Sequence, residues 1–195
     1  MKNLGGLKYF LGIEVVRSKQ VIFLSQRKYI PDLLIEVGLL DCKPTNTLII
    51  PNHKLGEYSN QVPTDKGRYQ RLVGKLIYLS YTRPDIAYAV NMVSQFMHCL
   101  SEDHMSVVIQ ILRYLKSSLG KGLMFSKNDH LRVEGYIDTD WARSTMDGKS
   151  TSSYFTFIGG NLVTWRSKKQ KVVALFSAKA EFRGMTNGYC GFEDY

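Results

Sequence analysis

The sequence predicts an α+β protein whose strands and helices are segregated along the chain, and three observations carry that prediction. β-branched and aromatic residues crowd positions 7–25, apolar residues recur at helical spacing from about 65 to 120, and strand texture returns from Leu123 onward. Runs of one element type followed by runs of the other mark this fold class.

The N-terminal strands are Leu7–Val16 and Val21–Leu24, joined by the polar Arg17-Ser18-Lys19-Gln20 of a hairpin connection. A helix follows over about 27–39, with Ile30, Leu33, Leu34 and Val37 on one face and Gly38 as its stop. Residues 41–63 hold Pro44, Pro51 and Pro63 with few apolar anchors and read as an extended linker. Three helices come next. The first covers about 65–81, with Tyr69, Leu72, Leu76 and Leu79 in line. The second opens at Arg83-Pro84-Asp85, where proline costs no hydrogen bond and Asp85 complements the helix dipole; Ile86, Val90, Val93 and Met97 form its face. The third is capped by Ser101 ahead of Glu102 and Asp103, buries Met105, Val108, Leu112 and Leu115, and ends at Gly120 and Gly122. Strands are then expected at 123–125, 131–138, 153–159 and 162–166, with Gly159-Gly160-Asn161 as a hairpin turn, and a last helix at about 177–186.

The chain has 195 residues, 44% hydrophobic and 22% charged, an ordinary globular balance that excludes a disordered chain. A formal charge of +9 favours a polyanionic partner, nucleic acid before anionic membrane. Cys42, Cys99 and Cys190 are far apart and odd in number, and the four histidines are scattered, so neither a disulfide framework nor a zinc site is expected. Lys8 and Glu14 interrupt the apolar stretch near the start, so no signal peptide is read, and no apolar run nears the roughly 18 residues of a membrane span. The expectation is a soluble intracellular protein without a membrane partner or small-molecule substrate.

Met1-Lys2-Asn3-Leu4-Gly5 with Leu7-Lys8-Tyr9-Phe10-Leu11-Gly12-Ile13-Glu14 resembles the segment of copia-type retrotransposon reverse transcriptases that follows the polymerase aspartates. Arg71–Leu79 and Thr82-Arg83-Pro84-Asp85-Ile86 are similar to the helical region behind it. Gly135-Tyr136-Ile137-Asp138-Thr139-Asp140-Trp141-Ala142 resembles the first strand of that family's ribonuclease H. Ser150-Thr151-Ser152, Gly159-Gly160, Trp165–Gln170 and Ser177-Ala178-Lys179-Ala180-Glu181-Phe182 continue it in order. The resemblance covers essentially the whole chain. It implies a reverse transcriptase remnant over 1–122, with hairpin, linker and a thumb-like or connection region of three helices. Over 123–195 it implies a truncated ribonuclease H-like domain, three antiparallel strands and one helix, whose first strand is central in the complete fold.

The resemblance also implies roles. Phe10, Leu11 and Gly12 match the primer grip, a turn that holds nucleic acid. Asp138 matches the strand-end aspartate, and Glu181 the helix glutamate, of the four carboxylates that hold two Mg²⁺ ions in ribonuclease H. Two of four ligands are expected not to hold Mg²⁺ stably, and the polymerase aspartates are not in the sequence, so neither polymerisation nor hybrid cleavage is expected of this chain. Arg143, Ser153, Phe176 and Lys179 depart from the family pattern.

Binding is the function more easily retained. From 166 to 183 the chain carries Arg166, Lys168, Lys169, Lys171, Lys179 and Arg183 against Glu181 alone, a net +5 suited to the phosphates of an RNA–DNA hybrid. A merely solvated basic face is the competing reading. Trp141 and Trp165 are expected in the core rather than stacked on bases. The rival function is a host factor or secreted effector built from transposon sequence, for which an Arg-x-Leu-Arg element near the start is lacking.

Overall fold

The structure, a computed structural model, describes residues 8–49, 55, 62, 64–98, 100–142 and 147–190, with the side chains of 187, 189 and 190 left out. It is α+β, with two antiparallel sheets and five α-helices among those residues, and it divides into a first unit, residues 1–53 with 61–127, and a second, residues 54–60 with 128–195.

The first unit opens with β1 (Tyr9–Phe10) and β2 (Ile13–Arg17), where one strand was expected. Leu11 and Gly12 break it with φ of 48° and 80°, the two successive left-handed residues that a two-residue hairpin turn demands. The Phe-Leu-Gly turn implied by the family resemblance thus overrides the β-propensity of the surrounding run. β3 (Val21–Ser25) pairs with β2 across the 17–20 turn. α1 (Tyr29–Val37) ends at Gly38, whose N–H and that of Leu39 return to the Ile35 and Leu34 carbonyls.

α2 (Lys66–Ser80) is capped by Asp65, which accepts from the Arg68 N–H at 3.0 Å. A 3₁₀ turn (Pro84–Ile86) leads into α3 (Ala87–Ser94), so the second expected helix begins with a tighter turn. α4 (Glu102–Ser117) starts from a reciprocal cap: His104 N–H reaches Ser101 Oγ while the Ser101 N–H donates to His104 Nδ1 at 3.1 Å. Leu72, Leu76, Leu79, Ile86, Val93, Val108, Leu112 and Leu115 are buried together with Ile30, Leu33 and Leu34 of α1, giving one apolar core. Met97 and Met105 lie at its margin.

Two expectations change here. Residues 41–49 are fastened to α4: Arg113 Nε donates to the Lys43 carbonyl, Lys116 Nζ to those of Leu40 and Cys42, and Ser117 Oγ to that of Thr45. Side-chain donors along one helix thus join Leu48 and Ile49, which pack against the core, in anchoring the stretch. The remainder of the expected linker lies largely outside the described residues. β4 (Leu123–Ser126) pairs with β3, Leu24 opposite Leu123 and Val21 opposite Ser126, so it completes the first sheet instead of opening the second domain. The boundary falls after Lys127, not after residue 122.

The second unit is an antiparallel meander, β5 (Val133–Asp140), β6 (Thr151–Ile158) and β7 (Asn161–Lys169), followed by α5 (Ser177–Cys190). Gly159 and Gly160, both at positive φ, make the β6–β7 turn. α5 lies against β5 and β6, and the fit is close at two points, Gly184 and Gly188. A Cβ on Gly184 would run into Thr139 Oγ1 and come within 3.2 Å of Ser152 Oγ, so only glycine lets the helix approach there.

Candidate nucleic-acid interface

In the first unit, the tip formed by Phe10, Leu11 and Gly12 is presented outward: Phe10 and Leu11 are exposed, Leu11 at 69%. It is nonetheless held. The Tyr78 hydroxyl on α2 donates to the Leu11 carbonyl, and Tyr78 meets Tyr29 edge-on with ring centres 5.6 Å apart. Lys28 lies over the Tyr9 ring at 5.7 Å, adding a cation beside the tip. The tip is thus an exposed apolar point tied to α2, with a lysine beside it.

Behind it, Arg83 is buried and fully engaged. Its guanidinium donates to both oxygens of Asp85 at 2.8 and 2.9 Å and to the Ser118 carbonyl and hydroxyl, while the Tyr114 hydroxyl also donates to Asp85. Burial raises the Asp85 carboxyl, but Arg83, Tyr114 and Lys121 more than offset this and hold it below its ordinary value. The Thr-Arg-Pro-Asp motif therefore fastens the start of α3 to the end of α4. The proline and dipole argument found the helix start but not this network, because Tyr114 and Ser118 lie 29 and 35 residues further along the chain from the groups they bond.

In the second unit, strand alternation sorts the site residues onto two faces. Ile137 and Thr139 meet α5 at Gly188 and Gly184, as do Tyr154 and Ser152 of β6. Opposite these on β7 stand Arg166 (across from Tyr154) and Lys168 (across from Ser152), so both basic residues share the helix-side face. Asp138 pairs with Ser153, and Asp140 with Thr151 and through it Lys169, on the other face.

Asp138 and Glu181 are both exposed, on β5 and α5, and neither carboxylate has a hydrogen bond or ion pair among the described residues. Two divalent ions held a few ångströms apart require several converging carboxylates. The described residues contain no group of three or more His, Cys, Asp or Glu that could hold a metal ion.

The basic run divides as well. Lys169 Nζ lies 2.9 Å from Asp147 Oδ1, which also pairs with Lys149 at 3.4 Å. Arg166, Lys168 and Lys171 are exposed and have no acidic partner among the described residues. Trp141, expected in the core, is 48% exposed and donates its indole N–H to the Ala174 carbonyl at 3.0 Å, because it follows β5 in a turn rather than within the sheet. Trp165 is half-buried, in register with Phe155 and Tyr136 across the outer face. Arg143 lies outside the described residues, while Ser153 sits within β6 and Phe176 and Lys179 are exposed.

A tight exposed turn and a helical bundle in the first unit, and a three-stranded meander with one helix in the second, define the class: an α+β chain of two compact units, with no helix among the described residues long and apolar enough to cross a membrane. Its relatives make the family specific. The chain is 44% identical over 181 residues to the retrovirus-related Pol polyprotein from transposon RE1 of Arabidopsis thaliana, covering 93% of this chain and 12% of that protein. It is 39% identical over 185 residues to an uncharacterised mitochondrial protein of the same plant, AtMg00810, covering 95% of this chain and 77% of that protein. It is 40% identical over 119 residues to secreted RxLR effector protein 161 of Plasmopara viticola, covering 60% of this chain and 84% of the effector. The chain belongs to the family of retrotransposon Pol sequences, spanning about an eighth of the Pol polyproteins it matches. No protein-family model matches it. No solved structure does either.

Proposed function

We propose that this stretch of a copia-type Pol polyprotein joins the end of the reverse transcriptase to the start of its ribonuclease H, and that it grips an RNA–DNA hybrid. The observation that carries the reading is the similarity to a transposon Pol polyprotein along 93% of the chain. The held Phe10-Leu11-Gly12 turn and the β5–β6–β7–α5 order support it from the structure. The turn holds a strand end, and Arg166, Lys168 and Lys171 neutralise phosphates of the duplex. Asp138 and Glu181 are the part of the ribonuclease H carboxylate set that falls within this stretch. The test is binding of a labelled RNA–DNA hybrid over a range of salt concentrations. Log affinity should fall linearly with log salt; affinity that is absent, or indifferent to salt, would overturn the reading.

A second reading has its own observation, the similarity to most of an effector's length. On that reading the stretch serves as an interaction domain, and hybrid binding is absent while the fold is intact.

A further inference from the structure

β7, the 170–172 segment and α5 enclose a cleft of about 380 Å³ within the second unit, and its walls are strongly basic. Arg166 and Lys168 project from the helix-side face, Lys171 follows β7, and Arg183 comes from α5. Lys169 also borders the cleft, with its ammonium 2.9 Å from Asp147. Among the described residues, no acidic side chain lines it. Four positive groups from three segments thus surround one concavity without a negative partner in its wall. Such an arrangement is costly through mutual repulsion unless an anion occupies it.

Two details show that the cleft is built rather than a chance gap. Arg183 Nη1 donates to the Val173 carbonyl at 3.0 Å, which fixes the guanidinium against the cleft wall. Gln170, 5% exposed, donates Nε2 to Ser152 Oγ and the Ala180 carbonyl, while its Oε1 has no partner among the described residues. The two bonds donated by Gln170 tie the 170–172 segment to β6 and α5.

We propose that this cleft seats a backbone phosphate of a nucleic-acid strand, held by Arg166, Lys168, Lys171 and Arg183. This deepens the hybrid-binding reading and rests on it. It also separates these four residues, which hold the anion, from Lys169, which holds the sheet to Asp147, and from Lys179, which does not line the cleft.

The test compares Arg166→Gln/Lys168→Gln with Lys169→Gln, using a labelled RNA–DNA hybrid at several salt concentrations and inorganic phosphate as competitor. Arg166 and Lys168 are exposed, so the double variant should keep the wild-type melting curve. It should lose about tenfold in affinity, and its salt slope should fall by about two, one for each cation removed. Lys169→Gln should stay within about twofold of wild type. Equal losses in both variants, or an unchanged slope in the double variant, would overturn the seat. So would competition by inorganic phosphate at concentrations below those at which sodium chloride of equal ionic strength acts, since the cleft would then be a free-phosphate site. If wild-type protein binds no hybrid, the functional reading fails first. If wild type binds and only the variant pattern is wrong, the seat alone fails.

Discussion

The two units are stabilised by different means. The first buries a continuous apolar core in which Leu72, Leu76, Val93, Ile111 and Leu112 are all but inaccessible. In the second, Ala174 and Ala180 are the buried apolar side chains among those described; its other buried side chains are polar, Ser150, Ser152, Thr156 and Gln170. Tyr136 and Phe155 lie exposed on its outer face, and β5 has a free edge among the described strands. A unit without a large apolar core depends on its strand ladder and on the close packing of α5 at Gly184 and Gly188, and unpaired strand edges invite association. The difference teaches where each part of the chain can bear change: the first unit on its surface, the second away from its helix contact.

The largest break in that comparison should come from Leu112→Ala. Truncating a fully buried leucine should cost about 3 kcal/mol, from lost burial and the cavity left behind. Denaturant unfolding followed by a probe in the first unit measures it, and a loss below about 1 kcal/mol would show that the core is not closely packed. Hydrogen exchange in β6 and β7 should stay at wild-type protection.

Asp85→Asn should come next, at about 2–3 kcal/mol, because it strands the buried Arg83 charge. Its pH signature is distinct. A carboxyl held below its ordinary value in the folded state contributes stability above the unfolded pKa, and that stability is lost as pH falls through the depressed value. The wild-type first unit should therefore weaken on acidification below about pH 4. The variant should lack that slope, and an identical slope in both would exclude Asp85 as its source.

Gly184→Ala sharpens the contrast from the other side. On an exposed helix surface this change stabilises by roughly 1 kcal/mol. Here the added methyl meets Thr139 and Ser152, so a loss of about 1–2 kcal/mol is expected, confined to the second unit. A raised melting temperature would mean that α5 does not pack on β5 as described.

How much of this was legible beforehand differs between the units for the same reason. Helical spacing marked Tyr69, Leu72, Leu76 and Leu79 correctly because one apolar face dictates one packing solution. The Ser101 cap was equally plain, being local. The pairing of β4 with β3 joins residues a hundred positions apart, and a four-residue strand carries no signal of its partner. The break at Leu11 was hidden in a run of good strand formers, visible only through the family resemblance. At the basic face, counting charges from 166 to 183 could not separate Lys169 from Lys168. Period-two alternation does so once the register is known. Gly184 went unmarked because nothing in a helical sequence tells a tolerated glycine from a required one.

The most direct measurement is hybrid cleavage by a longer Pol chain that contains these residues together with the sequence that follows them in the transposon relatives. Asp138→Asn and Glu181→Gln should each reduce cleavage at least a hundredfold, while Asp140→Asn should stay within a few fold of the parent chain. Cleavage that survives Asp138→Asn but is abolished by Asp140→Asn would contradict the register of β5 on which the account rests.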